Sequence, residues 1–176
     1  MLDASLAFPL PANEPVLSYA PGTPERAALK DALAKLGGET PDIPHVIAGK
    51  AIHDGAAFDV RSPHAHRKVL ARAHHGGAKV AEQAIAACKS TAAMWAATSF
   101  EERARIFLKA ADLLAGPYRA VINAATMLGQ SKTVYQAEID AACELADFLR
   151  FNVSYAARLA EQPLSAPGMH NALELR

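Results

Sequence analysis

Apolar and polar positions divide the chain into stretches of different period. Residues 1–24 have no apolar period: Pro9, Pro11, Pro15, Pro21 and Pro24 recur without a stripe, which predicts an extended arm lying on another surface. At Thr23-Pro24-Glu25 the pattern becomes a helix start, with an N-cap residue, a proline at the first helical position and an acid in the first turn. Ala28, Leu29, Leu33 and Leu36 then share one face, and Gly37-Gly38 marks the expected stop. Between Pro44 and His75 the pattern predicts short strands joined by tight turns. Val46-Ile47, a break at Gly49-Lys50, Ile52, a second break at Asp54-Gly55, then Phe58, Val60, Val69 and Leu70 carry that reading.

After Gly76-Gly77 the period turns helical and stays so. Val80, Ala84, Ile85, Cys88, Ala92 and Trp95 predict a helix from about Ala78 to Ala97 with those residues facing a core. Ser99 and Glu102 have capping-box spacing and Gly116-Pro117 closes the next helix, whose expected buried face is Ile106, Phe107, Ala110, Leu113 and Leu114. A third helix runs from Tyr118 to Leu128 and is expected to stop at Gly129. A long fourth begins near Ser131 and reaches about Glu161, because Tyr135, Ile139, Ala142, Ala146, Leu149, Val153 and Ala156 alternate four and three apart. Beyond it, Pro163, Pro167 and Gly168 precede Leu173 and Leu175, which alternate with charged residues as a strand awaiting a partner would. The chain thus reads as an arm (1–24), a body (25–161) and a terminal segment (162–176).

Composition narrows the class. Of the 176 residues 51% are hydrophobic and 20% charged, enough for one domain with a core. Lys plus Arg and Asp plus Glu number 18 each, so no net field draws the chain to nucleic acid or to an anionic membrane. Cys88 and Cys143 lie in Ala-rich helical stretches, against a disulfide scaffold or a structural zinc site and consistent with a reducing compartment. Met1 to Pro15 contains Asp3 and Glu14, no Lys or Arg, and no signal-like apolar run. The expected location is the cytoplasm, with the mitochondrial matrix as the alternative in a eukaryote.

Several motifs have simpler readings than the chemistry they suggest. In Gly129-Gln130-Ser131-Lys132-Thr133, Ser131 and Thr126 occupy the glycine places of a phosphate loop. Helix punctuation accounts for the run, with Gly129 stopping one helix and Ser131 capping the next. No G-x-G-x-x-G dinucleotide fingerprint is present. His64, His66, His74 and His75 cluster in the strand region, His64 and His66 on one strand face. Without an acid or thiol at ligand spacing, no metal is assigned to them. Both cysteines lack an adjacent base or Gly-rich turn and read as small core residues, and Trp95 reads as packing. Glu138 differs: its neighbours at three and four residues, Val134, Tyr135, Ala141 and Ala142, include no cation. It either points to solvent or meets a ligand or a distant donor.

Together these segments resemble a known family. HVIAGKAIHDGAAFDVRSP, followed by Trp95, Glu102-Arg103 and FLKAADLL, is similar to the opening of the aldehyde dehydrogenase superfamily. NEPVLSYAPGTPERAALKDAL and MLGQSKTVYQAEIDAACELADFLRFN resemble the Δ1-pyrroline-5-carboxylate (L-glutamate γ-semialdehyde) dehydrogenase branch. The resemblance implies an α/β, aldehyde dehydrogenase-like fold, of which this chain carries the mainly helical N-terminal part with a small β-sheet. It implies NAD as cofactor, L-glutamate γ-semialdehyde as substrate, glutamate as product and homo-oligomerisation. The family's nucleophilic Cys, oxyanion Asn, water-activating Glu and Gly-rich cofactor turn have no counterpart here. Expected catalytic, cofactor-binding and metal residues are therefore none, and the chain alone is expected to be inactive. Glu138, within Gln136-Ala137-Glu138-Ile139-Asp140, matches a motif acid near the family's substrate entrance and is the expected substrate-binding residue. Leu164 to Arg176 resemble the start of the arm used for subunit contacts. A second reading is a truncated non-catalytic relative that pairs its last strand with a full-length subunit.

Overall fold

The computed structural model describes Phe8, residues 10–161 and residues 166–171. The element order is α1 (Pro24–Gly38), β1 (Asp42–Ile43), β2 (His45–Ile47), β3 (Lys50–Ile52), β4 (Ala57–Ser62), β5 (Ala65–His74), α2 (Ala78–Ala97), α3 (Phe100–Ala115), α4 (Arg119–Gln130), α5 (Val134–Ala137), a π segment (Glu138–Cys143) and α6 (Glu144–Glu161). Among the described residues no helix is long and apolar enough to cross a membrane.

The β region forms two small sheets. One has the order β1-β5-β4, with β1 parallel and β4 antiparallel to β5. The other is the β2-β3 hairpin, turned by Ala48 and Gly49 at φ 50° and 74°. Two consecutive positive φ values give a turn whose twist matches that of the strands. The sheet is tied to the helices where Ser62 Oγ donates to the Leu128 carbonyl at 3.1 Å.

The helical part is held by two contacts of different character. α1 packs on α4, and the arm inserts between them: Tyr19, Leu29 and Ala124 form a buried cluster flanked by Leu17, Leu33, Leu36 and Met127. α3 packs on α6, where Ala104, Ala111, Ala146 and Val153 are buried and their small side chains let the helices approach closely. The Ser99/Glu102 capping box forms as expected, the Ser99 side chain accepting from the Glu102 amide and the Glu102 carboxylate accepting from the Ser99 amide. Gly116 is the C-cap of that helix.

Several sequence expectations are corrected. α4 continues through Gly129, and Ser131 at φ 58° takes the left-handed stop position. Thr133, with Gln136 completing a capping box, starts the next helix in place of Ser131. That helix contains a π segment, so a strict four-and-three stripe fails and Tyr135 is exposed while Ala137 and Glu138 are buried. α2 has the expected limits, but Val80 is its one buried residue; Ile85, Trp95 and Cys88 are exposed. Ile106 and Phe107 of α3 are exposed too. Amphipathic spacing identified these faces as apolar, but no described part of the chain covers them. The strand expected at Leu173 and Leu175 lies outside the described residues, and residues 166–171 form a turn and irregular chain.

Candidate functional site

The arm crosses the start of the π segment and closes a buried polar knot there. Glu138 is fully buried, which removes the solvent-facing option for its side chain; it meets donors from distant segments instead. The Leu17 amide donates to Oε1 at 2.8 Å, and the Tyr19 hydroxyl to Oε2 at 2.7 Å. Asn123 Nδ2 donates to Oε2 at 2.8 Å and also to the Tyr19 oxygen at 2.9 Å. Arg119 donates through Nε to both oxygens, at 3.2 and 3.3 Å, and through Nη2 to Oε1.

A second carboxylate extends the knot to the arm. Glu14 accepts from Arg119 Nη1 and from Arg150 Nη1, both at 2.6 Å. Arg119 Nη2 also donates to the Pro15 carbonyl at 2.6 Å. Asp147 of α6 accepts from the Glu14 amide and from Asn13 Nδ2, each at 2.7 Å. The proline-rich arm, which has no ladder of its own, thus has its Glu14 and Leu17 amides and Pro15 carbonyl satisfied by the side chains of Asp147, Glu138 and Arg119.

Charge states follow from this arrangement. Burial alone would raise the Glu138 carboxyl, but the hydrogen bonds from Arg119, Leu17, Tyr19 and Asn123 outweigh it and hold the group below the usual carboxylate range. Burial and the adjacent Glu138 carboxylate push the Tyr19 phenol up to about 12. Arg119 stays charged because Glu138 and Glu14 more than offset its desolvation, moving it above its ordinary value. Burial and the Glu138 charge raise the Cys143 thiol to about 11.

The π geometry accounts for the company Glu138 keeps. In an α-helix, residues five apart are rotated by about 140° from one another. Hydrogen bonding to the fifth residue underwinds the chain and brings such a pair toward one face. Cys143 Sγ accordingly lies 3.8 Å from Glu138 Oε1 and 3.4 Å from Arg119 Nη2. Tyr19 itself is a bulky residue at φ 51°, a strained backbone position sustained by its buried hydrogen-bonded ring.

Above the knot an open groove of about 650 Å³ is lined by Asn13, Glu14, Ile139, Cys143, Phe148 and Tyr155, among others. A second, more apolar groove of about 350 Å³ lies between Trp95, Phe100 and Phe107 on one side and Phe148 and Leu149 on the other. Cys143 is not placed as a nucleophile, being buried beside a carboxylate that disfavours its thiolate, and Cys88 is exposed on α2. His64 sits in the β4-β5 turn, where Nδ1 is 2.8 Å from Ser131 Oγ, and so does not share a strand face with His66 of β5. Sequence reasoning missed Arg119 and Asn123. Their spacing of four on α4 marks a shared face, but their partner lies 15 to 19 residues on, and nothing local points to it.

Residues 51–176 match the model of the aldehyde dehydrogenase family, and the chain belongs to that family. The Δ1-pyrroline-5-carboxylate dehydrogenase of Agaricus bisporus is 45% identical, over 98% of this chain and 32% of that protein. The human mitochondrial enzyme of the same name is 44% identical, over 94% of this chain and 30% of its own. The Mycobacterium tuberculosis Δ1-pyrroline-5-carboxylate dehydrogenase, solved with NAD and cobalamin, superposes with a TM-score of 0.90 at 52% identity, covering 96% of this chain and 32% of that one. The fold is therefore the N-terminal, mainly helical part of the aldehyde dehydrogenase architecture with its small sheet. The chain spans about a third of the length of the curated relatives it matches.

Proposed function

We propose that this chain is the N-terminal part of an NAD-dependent dehydrogenase that oxidises L-glutamate γ-semialdehyde to L-glutamate. The observation that carries the reading is the continuous likeness, from arm to α6, to the mycobacterial Δ1-pyrroline-5-carboxylate dehydrogenase bound with NAD. In such an enzyme an activated cysteine takes the aldehyde and NAD accepts the hydride. These 176 residues carry no G-x-G-x-x-G turn for a dinucleotide phosphate, and the Cys143 thiol is buried beside a carboxylate; both tasks are assigned to other segments of an enzyme of this family.

The contribution of this part is to shape. Glu138 belongs to the substrate side as a positioning residue: it fixes Leu17 and Tyr19 of the arm, and with Arg119 it ties the arm and Cys143 that line the open groove. With no exposed surface, it acts through the groove wall and not by touching substrate. The test is a chimaera in which these residues replace the corresponding third of the mycobacterial enzyme. NADH formation from glutamate semialdehyde is the expected result, with weak activity on simple alkyl aldehydes. A folded chimaera that oxidises alkyl aldehydes but not the semialdehyde would reject the substrate assignment.

A further inference from the structure

Asp42, His53 and His74 meet where the two sheets adjoin, in a part of the chain that the proposed reaction does not use. Asp42 is in β1, His74 ends β5, and His53 follows β3 by one residue. Asp42 Oδ1 is 2.9 Å from His74 Nε2, and Oδ2 is 2.8 Å from His53 Nδ1. The two imidazoles meet edge to face with centroids 5.3 Å apart. One ligand atom from each residue lies within 4.8 Å of the other two.

We propose that Asp42, His53 and His74 form a binding site for a borderline divalent transition ion, with Zn²⁺ as its representative. Two imidazole nitrogens and one carboxylate oxygen suit zinc, cobalt, nickel or copper, whereas magnesium and calcium require mainly oxygen. For a tetrahedral ion with bonds near 2.0–2.1 Å, ligand atoms stand roughly 3.3 Å apart. Asp42 meets the two rings through different oxygens, so an ion held through one of them needs the carboxylate to turn and the ligand atoms, all within 4.8 Å of one another, to settle toward that spacing. Asp42 and His53 are about half exposed, at 50% and 49%, so water can complete the coordination.

The ligands are held by backbone. The parallel ladder pairs Asp42 with Arg72 and Ile43 with Ala73, which fixes Asp42 alongside the end of β5. The loop after His53 is clamped to the same place, with the His75 amide donating to the Ala56 carbonyl at 3.0 Å. Gly55, at φ +92°, passes so close that a Cβ there would lie 1.8 Å from the His75 oxygen, so only glycine lets the loop sit here. On binding, the ion exchanges aquo ligands for the three side chains, and any proton on the two coordinating nitrogens passes to solvent. The bound ion would link the β2-β3 hairpin to the three-stranded sheet and stabilise the folded chain by mass action.

The experiment is calorimetric titration of the chelator-stripped chain with Zn²⁺, repeated with Co²⁺ while following its visible absorption. The expected result is one saturable equivalent with a cobalt spectrum of nitrogen and oxygen ligation. Affinity should fall by roughly ten-fold or more in His53→Ala and Asp42→Asn, and be kept in His66→Ala and Cys88→Ser, which remove other exposed ligand groups. His53→Gln, closer in size, replaces His53→Ala if the latter does not fold. Absence of a saturable equivalent, or a loss smaller than that in the folded His53 variant, overturns the site.

Discussion

The arm junction and the helices α2 and α3 invert the usual arrangement of a soluble chain. At the junction two carboxylates, Glu138 and Glu14, share the buried guanidinium of Arg119, with Tyr19 and Asn123 completing the shell. On α2 and α3, Ile85, Met94, Ile106 and Phe107 are 44 to 64% exposed. Polar groups are inside and large apolar groups outside, and each is locally consistent. The buried charges are tolerated because each is paired and hydrogen-bonded. Exposed large apolar side chains on these helices have the pattern of surfaces made to be covered. What a residue is, then, predicts its environment less well than what stands opposite it.

The sharpest way to break the contrast is to strand a charge. Arg119→Ala leaves Glu138 buried without its cation and Glu14 with Arg150 alone, and should cost about 3–5 kcal/mol in urea unfolding. A loss under about 1 kcal/mol would mean the knot is wetter than its burial indicates. Acid gives a graded version of the same test. Because Glu138 in the folded chain lies below its ordinary value of 4.5, the stability it contributes is fully present above that value. That contribution is lost as pH falls through the lower, folded-state value. The urea midpoint should therefore drop steeply on acidification below about pH 4.5, and less steeply in Glu138→Gln; equal slopes would place the acid sensitivity elsewhere. The smallest effect belongs to the other region: Ile85→Ala, at a position 55% exposed, should change stability by no more than about 0.5 kcal/mol. A loss of 2 kcal/mol or more, on the scale of a buried aliphatic, would show that this face is packed in solution.

Much of the fold was legible because its signals are local. Pro24 at a helix start, Gly76-Gly77 before α2, the Ser99/Glu102 box and Gly116 after α3 each act within a few residues, and each stands where the sequence placed it. The errors have a common cause. Ser131 and Gly129 are both plausible stops, and choosing between them needs the docking of α4 and α5, which the pattern does not contain. Burial of α2 and of Ile106 was inferred from amphipathicity, which shows that a face is apolar but not that something lies on it. Glu138 stands out in the sequence as a carboxylate with no cation three or four residues away. Apart from the Cys143 thiol five residues on, its donors stand 15 to 121 residues away, and only tertiary structure brings Leu17, Tyr19, Arg119 and Asn123 to it. The Asp42, His53 and His74 cluster was missed for the same reason, its acid being 32 residues before the second histidine.

The π segment carries an implication for how this helix can change length. A one-residue insertion in an α-helix either rotates everything on one side of it by about 100° or is absorbed as a widened turn. Glu138–Cys143 is such a widened turn, with regular helix on both sides. Deleting a single residue from it would restore an ordinary helix and leave α6 packed on α3. The same deletion would leave Val134 to Ala137 in register and change only the widened turn itself, so that Glu138 and Cys143, five apart, would no longer turn toward one face. At this point in the helix, a change of one codon alters the groove wall at the Glu138–Cys143 turn without disturbing the packing of α6 on α3.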